Sequence, residues 1–254
     1  MTFAVSADAY DRFMGRYSRE LAPVFADFAG VRAGQTALDV GCGSGVLTEE
    51  LARRLGAERV AGTDPSPLLE AARERVPAAD LRAGAAEALP WPDGSFDAAL
   101  AQLVIHFMDD PAVGAAEMAR VVLPGGAVAA CSWDFGGGMR MLHAFWEAAR
   151  ALDGGAPSEE QAFGSRDELE ELWRERGLAD VEVAPLEVTV RYDGYDELWS
   201  TFLLGVGPSG GYAASREPEA QQALRHEYQR RLGVPDGPFA LSARAWAVRG
   251  RVPG

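Results

Sequence analysis

The sequence predicts an α/β fold with a doubly wound, mostly parallel sheet, and three observations carry that expectation. A short apolar strand, Thr36 to Val40, runs into Gly41-Cys42-Gly43-Ser44-Gly45 and out into Val46 to Leu55, where apolar residues recur at helical spacing before Gly56. A second strand, Arg59 to Asp64, ends in a carboxylate 19 positions after Gly45. Strands and helices keep alternating through Asp80 to Ala83, Ser95 to Ala101 and Ala127 to Cys131, the rhythm of βαβ units.

The glycine turn comes first because it selects the ligand. Glycine tolerates positive φ and has no Cβ, so three at alternate positions let the backbone turn sharply and pass close beneath a bound group. Strand, glycine turn and helix together form a nucleotide-binding opening. A nicotinamide fingerprint places its third glycine six positions from the first, where this chain has Val46. Asp39 would also set a negative charge beside a diphosphate, whereas a ligand carrying an ammonium and a sulfonium would welcome it. These two features point to S-adenosylmethionine (SAM). Asp64, closing the second strand, is placed to accept hydrogen bonds from both ribose hydroxyls.

The third strand is followed by a turn through Ala85-Ala86-Glu87-Ala88-Leu89-Pro90, then by the fourth strand, and Leu123-Pro124-Gly125-Gly126 closes a helix before the fifth. With these elements in order over residues 8 to 133, the chain resembles the class I SAM-dependent methyltransferases. Within them it looks like the small-molecule enzymes typified by ubiquinone and menaquinone biosynthesis C-methyltransferases. The resemblance implies a Rossmann-like, seven-stranded, mostly parallel sheet with helices on both faces, a final strand near Arg244 to Gly250, and a helical cap from insertions. It implies SAM as cofactor, held by Asp39, Gly41, Gly43, Gly45, Asp64 and Pro65, with Tyr17 and Gln102 also counted among the cofactor-binding residues. The family often has an acidic residue where this chain has Ala85. Adenine selection is therefore expected from backbone groups at Ala85 and Ala86, with packing from Leu89 or Pro65.

One methyltransferase domain is expected over residues 1–254, with an N-terminal helix in 1–30 and two cap insertions, 134–165 and 192–241. Residues 8 to 29 put Tyr10, Phe13, Met14, Tyr17, Leu21 and Phe25 on one helical stripe, which caps the sheet edge, closes as a lid lined by Tyr17 or Arg16, or does both. The first insertion begins with Trp133-Asp134-Phe135-Gly136-Gly137-Gly138 at the carboxyl end of a parallel strand, where open α/β sheets place their sites, and continues into a helix, Leu142 to Leu152. An acidic helix, Asp167 to Arg176, reads as an ordinary surface helix, with Leu169, Leu172 and Trp173 inward. A sixth strand, Val181 to Arg191, leads to the second insertion, which includes a glycine-rich loop, Gly205 to Gly211. Trp133, Trp146, Tyr195 and Trp199 are the expected substrate-binding aromatics.

Methyl transfer is an in-line displacement, so holding an aligned acceptor about 3 Å away in a dry pocket supplies roughly 7 kcal/mol or more. A general base is needed only for a poor nucleophile such as a hydroxyl. His106, after the fourth strand, and His143, facing the first insertion, are the catalytic candidates; each has a structural alternative, a strand-end hydrogen bond or a place on a helix. His226 reads as solvated, and Asp134 is an acidic alternative that could equally be a turn former. Asp109-Asp110-Pro111 reads as a helix N-cap, and no metal is expected, because two adjacent carboxylates lack the further ligands of a Mg²⁺ shell.

Composition narrows the partners. At 254 residues and 48% hydrophobic content, the chain can bury a full core, and no apolar run is long enough for a membrane span. All 24 basic residues are arginine, which removes lysine-dependent Schiff-base and phosphate-loop chemistry. The formal charge of −14 argues against a nucleic-acid substrate. Two cysteines, Cys42 and Cys131, make no disulfide framework, and no secretory signal is visible, so a cytoplasmic setting is expected. The expected function is SAM-dependent methylation of a small, partly apolar or aromatic metabolite. A SAM-binding regulator or scaffold without transfer activity is the alternative, and NAD-linked chemistry is disfavoured by Val46 and Asp39.

Overall fold

The computed structural model describes residues 7–157 and 163–254. The strands are β1 Ala37–Val40, β2 Val60–Asp64, β3 Asp80–Ala83, β4 Phe96–Gln102, β5 Val122–Trp133, β6 Ala179–Tyr192 and β7 Phe239–Arg251. The helices are α1 Ala7–Tyr10, α2 Arg16–Ala29, α3 Val46–Leu55, α4 Leu69–Arg75, α5 Pro111–Val121, α6 Arg140–Leu152, α7 Arg166–Glu175, α8 Tyr195–Phe202, α9 Gly207–Ala214 and α10 Pro218–Leu232. The seven strands form one sheet in the order β3-β2-β1-β4-β5-β7-β6. β1 to β5 pair in parallel and β7 runs antiparallel between β5 and β6, giving the expected seven-stranded, mostly parallel architecture.

Every residue of β1 and β2 is buried, as strands covered on both faces must be. Strand order reverses between β1 and β4, which opens a crevice at their carboxyl ends. One face of the sheet carries α2 and α3 together with α6, α8 and α10 in a continuous apolar cluster, and the other carries α5 and α7. The cap helices of the insertions thus share a core with the sheet. Asp110 Oδ1 accepts the N–H groups of Ala112 and Val113 at the start of α5, the N-cap the sequence suggests, and the structure adds a capping box of Ser165 with Glu168 on α7. No helix among the described residues is long and apolar enough to cross a membrane.

Three expectations change. The leading helix is interrupted by a π-helical turn over Asp11–Gly15, which swings Asp11 toward the glycine turn, where it accepts a hydrogen bond from Ser44 Oγ (3.0 Å) and pairs with Arg75 (2.8 Å). Residues 1–6 of the expected lid segment and 158–162 of the first insertion lie outside the described residues. The β6–β7 ladder continues to Tyr192↔Phe239, because Leu186, Val188, Val190 and Tyr192 keep their inward alternation, so the second insertion narrows to 193–238. Finally, the expected loop at 205–211 largely forms α9: Pro208 supplies a preset φ in the first turn, and Gly210 lets that helix lie against Phe202 and Gly205, where a Cβ would stand 3.1 Å and 2.9 Å from their backbone atoms.

Candidate cofactor and active site

A cavity of about 450 Å³ opens at the carboxyl ends of β1, β2 and β4, a size suited to a cofactor. Asp39, Gly41, Gly43, Asp64, Pro65, Ala85, Ala86 and Gln102 all lie in its wall. The glycines of the turn divide the work. All three have positive φ, +70° at Gly41, +53° at Gly43 and +85° at Gly45. A Cβ on Gly43 would meet nothing within 4 Å, because that position faces the open cavity. A Cβ on Gly45 would stand 2.9 Å from the Cα of Ala72 in α4, and Gly45 is absent from the cavity wall. Gly45 is therefore corrected from a cofactor contact to a packing position between α3 and α4.

Tyr17 is corrected as well. It is fully buried, its hydroxyl accepts from that of Tyr192 at 3.2 Å, and its ring meets Trp133 edge-on. Tyr10 and Ser18 take the wall instead. A π-helical turn holds one more residue than an α-helical one, so the face read at α spacing slips from position 17 to position 18.

Electrostatics define what the cavity takes. Among the described residues, the carboxylates of Asp39, Asp64, Glu87 and Asp109 line it, with no arginine or histidine. Asp39 is 1% exposed, and its Oδ2 accepts from Thr48 Oγ1 at 2.7 Å. Burial, reinforced by the charge of Asp64, pushes the Asp39 carboxyl up to about 7. Asp64 Oδ2 accepts the Gly43 N–H at 2.8 Å, and its Oδ1 accepts from the Ser66 backbone N–H at 2.8 Å and from the Ser66 hydroxyl. Beside its expected ribose contact, Asp64 thus braces the glycine turn, a role spacing alone does not reveal. Gln102 Nε2 donates to the Ser18 carbonyl at 3.1 Å, while its buried Oε1 finds no donor among the described residues. An orphaned acceptor, four carboxylates and an open glycine cradle fit a ligand with a cationic amino-acid end and reject a diphosphate. These residues fit SAM: Asp39 and Gln102 suit its ammonium, Asp64 its ribose, and Ala85 and Ala86, with Phe107 and Met108, form a largely apolar strip for its adenine. Asp64→Ala should weaken S-adenosylhomocysteine by about 1.5 to 3 kcal/mol in calorimetric titration, the worth of hydrogen bonds to a charged acceptor.

The catalytic candidates separate. His106 is half-buried, its Nδ1 lies 3.2 Å from Ser132 Oγ, and its ring packs against Phe107 and Phe135 at 4.0 Å and 5.7 Å between centroids. Phe107 lines the cavity, so His106 stands directly behind that wall. Burial lowers its pKa to about 4, keeping the imidazole neutral at pH 7. His143 instead lies on the exposed side of α6, 3.9 Å from Glu147 and away from the cavity wall; a catalytic role is withdrawn for it. Asp134 is tied up as well, accepting the Gly136 N–H and pairing with Arg244 at 2.6 Å.

None of the four expected substrate aromatics reaches the cavity wall. Trp133 packs on Tyr17, Trp146 between Phe145 and Tyr212, and Trp199 on Phe202. The Tyr195 hydroxyl donates to the Arg225 carbonyl. The short cap helices can be held only by burying large side chains, and these rings supply that core. Sequence reasoning missed Tyr10, Ser18 and Met108 in the wall and Thr48 behind it; the hydroxyl one α3 turn beyond Ser44 is a sequence signal for Thr48, whereas Ser18 follows only from the π-helical turn that the structure reveals.

A methyltransferase-domain family model matches residues 38–130, the stretch that builds this cavity. An uncharacterized protein of Mycobacterium tuberculosis H37Rv is 32% identical over 196 residues, covering 74% of this chain and 70% of the relative. A 37.1 kDa protein of transposon TN4556 from Streptomyces fradiae is 39% identical over 114 residues, and the chain spans only 33% of its length. Among solved structures, the Haemonchus contortus phosphoethanolamine N-methyltransferase 2 bound to phosphomonomethylethanolamine and S-adenosylhomocysteine superposes with a TM-score of 0.58 at 19% identity, covering 99% of this chain and 61% of that one. With the glycine turn, the acidic β2 end and the sheet order all in place, residues 38–130 form a methyltransferase domain on the Rossmann-like methyltransferase fold.

Proposed function

We propose that the protein transfers the methyl group of SAM to a small, partly apolar or aromatic metabolite. The observation that carries this reading is the acidic cavity at the carboxyl ends of β1, β2 and β4, where Asp39, Asp64 and the open face of Gly43 fit a cationic cofactor. SAM supplies an electrophilic methyl on a sulfonium. The chain's own contribution is to fix that group and to seat an acceptor against the aromatic rim with water excluded. Proximity of this kind supplies roughly 7 kcal/mol or more. When His106 Nδ1–H donates to Ser132 Oγ, Nε2 is left as an acceptor that orients a hydroxyl or amine and takes its proton only as the methyl group is transferred, because burial makes the imidazole a weak base. The resemblance to quinone-biosynthesis C-methyltransferases supports a ring acceptor, and the net charge of −14 supports a small molecule over a nucleic acid, in a cytoplasmic setting.

The test is transfer of a labelled methyl group from SAM into a panel of phenols, quinols and amines. For a hydroxyl acceptor, His106→Ala should cut turnover by about 100-fold or more while leaving S-adenosylhomocysteine affinity within about threefold. Turnover equal to wild type would remove the base from the mechanism. The second reading, a SAM-binding protein without transfer chemistry, is favoured by Ala85 and by the cap aromatics lying in the core. Tight cofactor binding with no labelled product across the panel would support it.

A further inference from the structure

Asp39 is shut between four elements. Thr48 on α3 donates its hydroxyl at 2.7 Å and its backbone N–H to the carboxylate; Asp64 on β2, Cys42 in the glycine turn and Cys131 on β5 are the titratable groups that face it. Each of the three is acidic or neutral. Among the described residues, the side-chain support comes from Thr48, itself fully buried, standing behind the carboxylate and outside the cavity wall. Thr48 touches no space a ligand could occupy. Beside this carboxylate it meets the Cys42 thiol.

We propose that Thr48 is a positioning residue that presents the Asp39 carboxylate to the cavity, and that a cationic cofactor enters with loss of a proton from Asp39. This rests on the reading that the cavity takes SAM. The physical cause is the charge balance of the empty site. Asp39 is buried beside the Asp64 carboxylate, and among the described residues the cavity wall holds no basic side chain, so the ionised form of Asp39 is disfavoured until a cation arrives. Burial and Asp64 accordingly raise Asp39 to about 7, and the Thr48 hydrogen bond opposes that rise. The sign follows. An incoming ammonium favours the ionised form, so binding releases a proton where Asp39 is protonated in the free protein, and affinity falls as pH drops below about 7. Thr48→Val keeps the shape but removes the hydroxyl, so the midpoint should move to higher pH; Thr48→Ser keeps the hydroxyl and should restore it.

The experiment is calorimetric titration of the full chain with S-adenosylhomocysteine, which carries the same amino-acid ammonium, from pH 5.5 to 8.5, in pairs of buffers of different ionisation enthalpy. Wild type should release a proton near pH 6.5. Thr48→Val should bind about tenfold or more weaker at pH 7, the worth of a hydrogen bond to a charged group, with its pH midpoint raised, and Thr48→Ser should stay within about threefold of wild type. Thermal melting of the same variants separates positioning from stability: a role in packing alone would lower the melting temperature and leave affinity and midpoint of the folded fraction unchanged, which overturns the proposal. Tight wild-type binding with no proton exchange and no pH dependence also overturns it, with SAM binding left standing. No binding to wild type at any pH would overturn the cofactor reading together with this one.

Discussion

Gly43→Val should abolish SAM binding in a protein that remains folded. Gly43 has φ +53°, a conformation that costs a β-branched residue about 1 to 3 kcal/mol, and nothing else lies within 4 Å of where its Cβ would stand. The added isopropyl group therefore enters the cavity and not the core. Asp64 fixes this placement by accepting the Gly43 N–H, so the chain cannot swing the new side chain aside without giving up that hydrogen bond. Gly45→Ala is the contrasting case. Its Cβ would press on the α4 backbone at 2.9 Å, so the melting temperature should drop, and binding should fall only with the folded fraction. Calorimetry with S-adenosylhomocysteine beside thermal denaturation reads both. Unchanged cofactor affinity in folded Gly43→Val would remove the glycine turn from the site.

The half of the chain that makes the cavity was legible because its signals are local. A glycine at each bend, a carboxylate at or next to the end of β1 and β2, and a Pro-Gly-Gly near the start of β5 each follow from backbone or charge requirements within a few residues. Asp110 announced its helix for the same reason. What failed to show depends on long-range placement. The sequence contains nothing that distinguishes an aromatic facing a ligand from one facing another aromatic, and Trp133, Trp146, Tyr195 and Trp199 all turned inward because the cap helices are held by the core they share with the sheet. His143 falls on the solvent side of an otherwise well-buried helix, which the stripe of Leu142, Phe145, Trp146 and Ala149 already implied. The shift from Tyr17 to Ser18 needed one π-helical turn, a feature of packing around Asp11 that no propensity encodes.

The burial of the cap aromatics sets the remaining large effect. Trp146→Ala and Trp199→Ala should each destabilise the protein by about 3 to 5 kcal/mol, the cost of emptying a large buried site that cannot collapse. Trp146 and Trp199 are 3% and 6% exposed, and their rings belong to one stack with Phe145, Phe202, Tyr212 and Tyr228. That stack ties α6 to α8, α9 and α10, so its loss loosens the cap as a unit. Cofactor affinity, measured on the folded fraction, should change by less than about threefold, because the cavity contacts come from the sheet loops and the leading helices. Turnover should decline in step with the unfolded fraction on warming. A variant with wild-type melting behaviour and lost turnover would instead return these rings to the acceptor pocket, and would mean that the cap opens toward the aromatic rim at His106 when the acceptor binds.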